Sequence, residues 1–156
     1  MGAEVGNVSE FQLPAGLLQL IALRIWPSKD GPSMTAQQFD PIFPTDRVRR
    51  FAPEETVICL EPPPFGTIAG ERAAGGGGDF WERFGALHQI VPEKAVVIGD
   101  FGLGSDAPII LDYHRNMTDP PVLRLRWNAD GRTEWVEGAR NFDHFAELLG
   151  LSDSVK

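Results

Sequence analysis

Three aspartates, Asp100, Asp106 and Asp112, recur at six-residue intervals within AVVIGDFGLGSDAPIILDY, Ala95 to Tyr113. Carboxylates at short spacing are raw material for a divalent-cation site, and interleaved glycines are raw material for a phosphate cradle. Neither pattern is complete here. A calcium loop sets oxygen ligands at alternate positions and closes on a glutamate. Phe101 and Leu103 occupy the interior of this loop and no glutamate closes it. Asp112 and His114 would share a face if the strand ran through both. That gives two ligands toward an ion, and metal-assisted hydrolysis is one reading of the region. The triplet DFG at Asp100–Gly102 matches the kinase magnesium motif. A chain of 156 residues with no HRD loop is too short for that chemistry. GLGSDA lacks the second glycine of a nucleophile elbow around Ser105. The other glycine-rich run, Gly75–Gly78, is followed by Asp79 and not by the Lys-Ser or Lys-Thr of a phosphate loop.

The remaining nucleophiles and bases are scattered. Cys59, the one cysteine, lies in the apolar run TVICLE, where a thiol is buried and inert. It excludes an internal disulfide framework and fits a reducing compartment. His88 and His144 fall on helical patterns, and His114 alone lies beside the aspartates. The expectation is therefore a protein with no catalytic residues, no cofactor and no metal.

The net charge is −8, from 22 acidic and 14 basic residues. Binding to nucleic-acid phosphates needs a basic face, so nucleic acid is excluded as the direct partner. An acidic surface steers basic proteins toward itself. The longest apolar stretch, Leu13 to Trp26, is too short to span a bilayer and contains Gln19 and Arg24. The N-terminus lacks the basic start of a secretory signal. These features fit a cytoplasmic protein without a membrane partner.

These side chains need elements to position them. Leu13–Trp26 reads as a buried or nearly buried helix between Pro14 and Pro27. Pro27–Pro44 is turn-rich, with Asp30-Gly31-Pro32 as its strongest turn signal. Thr56–Glu61 reads as a strand ended by three prolines, Pro62–Pro64. Asp79 is placed to cap a helix through Gln89, with Phe80, Phe84 and Leu87 on one face. AVVIG and APIILDY are apolar strands. VLRLRW alternates, with Leu123, Leu125 and Trp127 on a buried face and Arg124 and Arg126 on the other, where they pair with carboxylates. NADG turns the chain into RTEWVEG, which could set Trp127 and Trp135 side by side. Asn141 caps a last helix whose apolar face is Phe142, Phe145, Leu148 and Leu149, and Gly150 stops it. At least three of the four tryptophans read as core. Residues 1–10 and 152–156 read as flexible ends. The whole is one domain, residues 1–156, of α+β class, with a mostly antiparallel central sheet and helices packed around it.

The ordered set VVIGDFGLGSDAPIILDY, PPVLRLRW and NFDHFAELLGL resembles the SUKH superfamily, which includes proteins of the yeast Smi1/Knr4 type. The resemblance runs from Val96 to Leu151 and carries Gly99, Asp100, Gly102, Gly104, Ser105 and Asp106 onto the family's turn. It implies protein binding rather than catalysis. Many bacterial members resemble immunity proteins that neutralise a cognate polymorphic or contact-dependent toxin, often a nuclease. A housekeeping interaction module is the alternative. On this reading Asp100, Asp106, Asp112, His114 and Asp119 are the expected contacts with a toxin partner.

Overall fold

The computed structural model describes residues 7–8, 11–27, 43–63, 65–74, 80–102 and 107–151. The Asp30-Gly31-Pro32 turn, the Gly75–Gly78 loop with Asp79, the tip of the aspartate loop with Asp106, and the chain ends expected to be flexible lie largely outside them. Among the described residues the elements run β1 (Asn7–Val8), β2 (Phe11–Gln12), α1 (Ala15–Ala22), α2 (Thr45–Phe51), β3 (Cys59–Leu60), α3 (Ile68–Ala73) and α4 (Phe80–Phe84). Two 3₁₀ turns follow, then β4 (Ala95–Asp100), β5 (Pro108–Asp112), β6 (Val122–Trp127), β7 (Thr133–Ala139) and α5 (Phe142–Leu149). The class is α+β. Strands β3 to β7 form a five-stranded sheet in sequence order, and every pairing is antiparallel.

Short connections favour the antiparallel meander from β4 to β7, whereas β3 reaches β4 only after the segment 61–94 that carries α3 and α4. β5 lies at the centre and all five of its residues are buried. Continuous burial means both sheet faces are covered, which is why β4 and β5 are apolar without alternation. The register shows what covers each face. Val97 pairs with Ile110, Ile110 with Leu123, and Leu125 with Trp135, so these share one face. α4 covers that face. The Trp135 indole donates to the Gly85 carbonyl at 2.8 Å, and the Phe84 and Trp127 rings lie 5.1 Å apart. Ile109 pairs with Arg124, and Arg124 with Val136, on the opposite face. There α2 and α5 pack together, with the Phe51 and Phe145 rings edge-on at 4.9 Å.

Gly138 makes the second contact possible. A Cβ on it would stand 2.3 Å from a Phe51 ring carbon. Only a glycine lets the α2 aromatic lie flat on β7 at that bulge.

The double cover corrects the reading of β6. Leu123 and Leu125 are buried as expected, but Arg124 is buried too, at 5% exposure. Its guanidinium meets the Glu54 carboxylate just past α2. Arg126 is half-buried and pairs with Glu134, so the expected arginine–carboxylate pairing is found. Trp135 faces Leu125 and Trp127 faces Thr133, so the two tryptophans are diagonal neighbours.

Other boundaries moved for physical reasons. β3 is two residues rather than six. Cys59 already pairs with Asp100, so anything earlier would pair past the end of β4. The helix expected through Gln89 breaks after Phe84, where Ala86 takes a left-handed φ of 47°. Its buried member is Trp81, while Phe80, Phe84 and Leu87 are half-buried. α1 is also less buried than expected: Leu17 and Leu20 are in the core and Leu23 is 51% exposed. α5 matches its reading. The Asn141 side chain accepts from the His144 N–H at 2.9 Å, and Gly150 stops the helix at φ 79°. Trp26, Trp81 and Trp135 are core residues, and Cys59 is buried and not in a disulfide.

Candidate partner-binding site

Of the expected contact residues that are described, Asp100 lines a concave site. It is the last residue of β4, and its Oδ1 accepts from the Gly102 N–H at 2.8 Å. That short turn fixes the carboxylate at the strand end. Glu61 lies beside it, just past β3, where its N–H donates to the Ile98 carbonyl at 2.8 Å. Glu71 comes from the first turn of α3. The Thr67 hydroxyl starts that helix by accepting from the Gly70 N–H at 3.0 Å, and Thr67 also bridges to Val96 of β4. The bridge holds α3 against the sheet and sets Glu71 over the strand end.

These three carboxylates and the side chains of Val97, Phe80 and Trp81 line a cleft of about 420 Å³. Burial raises the Glu71 carboxyl above the ordinary glutamate range, and the neighbouring charges of Glu61 and Asp100 raise it further. A like-charge group in partial desolvation resists ionising until a cation arrives. The cleft therefore combines an apolar aromatic wall with acidic groups, a combination suited to an arginine or lysine side chain. The stem packs on the wall and the charged head meets the carboxylates.

Asp112, His114 and Asp119 lie elsewhere. Asp112 pairs in register with Ala95, while Asp100 pairs with Pro108. The two sit at opposite ends of the β4–β5 ladder, roughly 17 Å apart at the usual rise per strand residue. Asp100 and the Asp112–Asp119 segment thus do not form one continuous face. Asp112 is 1% exposed, accepts from the His114 N–H at 3.1 Å and pairs with Arg115 at 3.2 Å. Its carboxylate holds the turn and is withdrawn from any contact surface. The chain also leaves β5 at Asp112, so Asp112 and His114 do not share a strand face. Among the described residues, no group of three or more histidine, cysteine or acidic side chains is placed to hold a metal ion.

His114 and Asp119 are exposed on a turn that is well tied down. Asn116 Oδ1 accepts from the Thr118 and Asp119 N–H groups at 3.0 and 2.9 Å. Asp119 accepts from the Asn141 side chain at 3.1 Å, which ties the turn to the start of α5. Asp106 lies outside the described residues.

Glu61 and Glu71 were not legible as site residues in the sequence. Each sits in an unremarkable local context, and only the β3–β4 pairing and the Thr67 bridge carry them to Asp100. Among the described residues no helix is long and apolar enough to cross a membrane. Comparison with family models, curated proteins and solved structures gave no match.

Proposed function

We propose that this chain is a cytoplasmic protein-binding domain of the immunity type, which neutralises a basic toxin by covering its active or substrate-binding surface. The observation that carries the reading is the acidic, aromatic-walled cleft of Glu61, Glu71 and Asp100 on a chain of net charge −8. The overall charge draws a basic partner in, and the cleft gives one of its cationic side chains a desolvated anchor. The ordered resemblance of Val96–Leu151 to SUKH proteins points the same way. No catalytic role is assigned to the cleft: its carboxylates serve as fixed charges.

The test asks whether a basic, toxin-like protein is encoded beside this chain and co-expresses the two. The wild type protects the host and binds with an on-rate that falls steeply as salt rises. Replacing the three carboxylates together (E61Q, E71Q and D100N) weakens binding at least tenfold and abolishes protection. Unchanged protection by the triple variant, or salt-independent association, refutes the reading.

A further inference from the structure

The corner between β7 and α5 is closed by side-chain hydrogen bonds that run through one histidine. The Asn141 side chain accepts from the His144 N–H at 2.9 Å, and His144 Nδ1 accepts from the Arg140 N–H at 3.1 Å. A helix start closed reciprocally in this way ordinarily uses glutamate or glutamine for the returning bond. Here a histidine makes it. Asn141 also donates to the Asp119 carboxylate at 3.1 Å, and Asp119 N–H donates to Asn116 Oδ1 at 2.9 Å. The end of β7, the start of α5 and the exposed turn 114–119 therefore meet at Asn141 and His144. We propose that His144 is an acid-sensitive latch: the neutral ring closes this corner and holds the turn, and the protonated ring opens the corner and releases it.

The switch follows from the proton count. A backbone N–H donates to Nδ1 only while that nitrogen keeps its lone pair, so the latched ring is neutral with its proton on Nε2. A proton added at Nδ1 sets two donors against each other where a donor and an acceptor stood 3.1 Å apart. The ring must then turn away from Arg140. Glutamine in its place would accept at any pH. Histidine is the side chain whose charge ordinarily changes between about pH 5 and 8.

The surroundings let the ring take up a proton. His144 is half-buried and open to solvent on one side. Asp143 and Glu147 on its own helix and Asp119 on the turn favour the imidazolium. The positive end of α5 and the Arg140 side chain oppose it. Of the elements packed on α5, α2 brings Asp46, Arg47, Arg49 and Arg50, and Arg47 donates to the Leu149 carbonyl at the far end of the helix. β7 brings Glu134, paired with Arg126, and the exposed Glu137, while α1 brings no charged side chain. Charges of both signs surround the ring, so the Arg140 hydrogen bond is what distinguishes the two protonation states in shape.

The released turn carries His114 and Asp119. Any partner that reads this turn is held at neutral pH and let go in acid. The inference does not depend on the immunity reading.

The test follows the full chain by NMR from about pH 8 to about pH 5, the range that histidine spans. Imidazole ¹⁵N signals read the tautomer, and amide exchange, corrected for its intrinsic pH dependence, reads the latch. The expected result is a neutral His144 with an unprotonated Nδ1. Protection of the Arg140 and Asp119 amides falls roughly fivefold as the ring protonates, the size of one lost cap. H144Q keeps both amides protected across the range, and H144A leaves both unprotected throughout. Asn141 still caps α5 in each variant, so the helix remains. A neutral ring with its proton on Nδ1, a fall that persists in H144Q, full protection in H144A, or an Asp119 amide indifferent to the titration would each overturn the proposal.

Discussion

Trp81 is a wall of two clefts. On one side the charged groups are Glu61, Glu71 and Asp100, and on the other they are Glu82, Arg83 and Arg132. The acidic cleft adds to the field of the whole molecule, so it can act at a distance, in steering. The other cleft carries mixed charge and adds less to that field. The difference lies in how each charge is supported. The carboxylates crowd one another, which raises Glu71, whereas Arg83 and Arg132 sit on separate elements, with Glu82 held by Arg72 and Asp130 by Arg132.

The largest expected effect comes from removing what the clefts share. Trp81 is 5% exposed, and its replacement by alanine should cost about 3–5 kcal/mol. Thermal unfolding by calorimetry reads this directly, and a loss below about 1 kcal/mol would mean that α4 is not anchored through Trp81.

Next is a charge that is already matched. Arg124 is 5% exposed and meets Glu54, whose side chain is 43% exposed. Glu54→Ala leaves a buried guanidinium without that partner and should cost about 2 kcal/mol, below the range for a fully buried pair. The same truncation at Arg132 should be nearly silent in stability. Urea unfolding of the two variants separates a buried, paired arginine from an exposed one.

Asn141→Ala is the control on the far side of the sheet. Loss of the cap should cost about 1 kcal/mol in chemical denaturation, with both clefts unchanged in their NMR shifts.

The smallest effect is at Glu71, and its sign is definite. A carboxyl whose pKa is higher in the folded state than in the unfolded state adds stability at low pH, below the unfolded value. That contribution is lost as pH rises through the folded value. Glu71→Gln should therefore make the protein slightly more stable at neutral pH and flatten the stability–pH profile just above the ordinary glutamate range. Urea midpoints across pH 4–7, roughly the window above an ordinary glutamate pKa, check both. A variant less stable at neutral pH contradicts the crowding.

The parts legible in the sequence are those where local pattern and tertiary role agree. β4, β5, the β6–β7 hairpin and α5 with its Asn141 and Gly150 ends follow from apolar runs, alternation and caps. α2 and α3 did not announce themselves. TDRVRRF buries only Val48 and Phe51, and IAGERA contains a glycine and buries only Ile68. Both depend on contacts made by the finished fold, Phe51 over Gly138 and Thr67 on Val96. Among the described residues, the aspartate loop gave the site Asp100. Asp112 looked equivalent by spacing, but register placed it at the other end of the ladder and burial turned it inward. Alternation along a strand carries no information about which distant glutamate a helix will bring to its end.

The central claim is that the Glu61–Glu71–Asp100 cleft is a receptor for a cationic side chain. Carboxyl ¹³C NMR of Glu71 across pH, with and without saturating N-acetyl-arginine-amide, tests it most directly. The account predicts a Glu71 pKa above the ordinary range in the free protein that falls when the arginine derivative is present, while exposed Glu147 does not respond. A Glu71 carboxyl that titrates normally, or whose raised pKa is untouched by the cation, would contradict it.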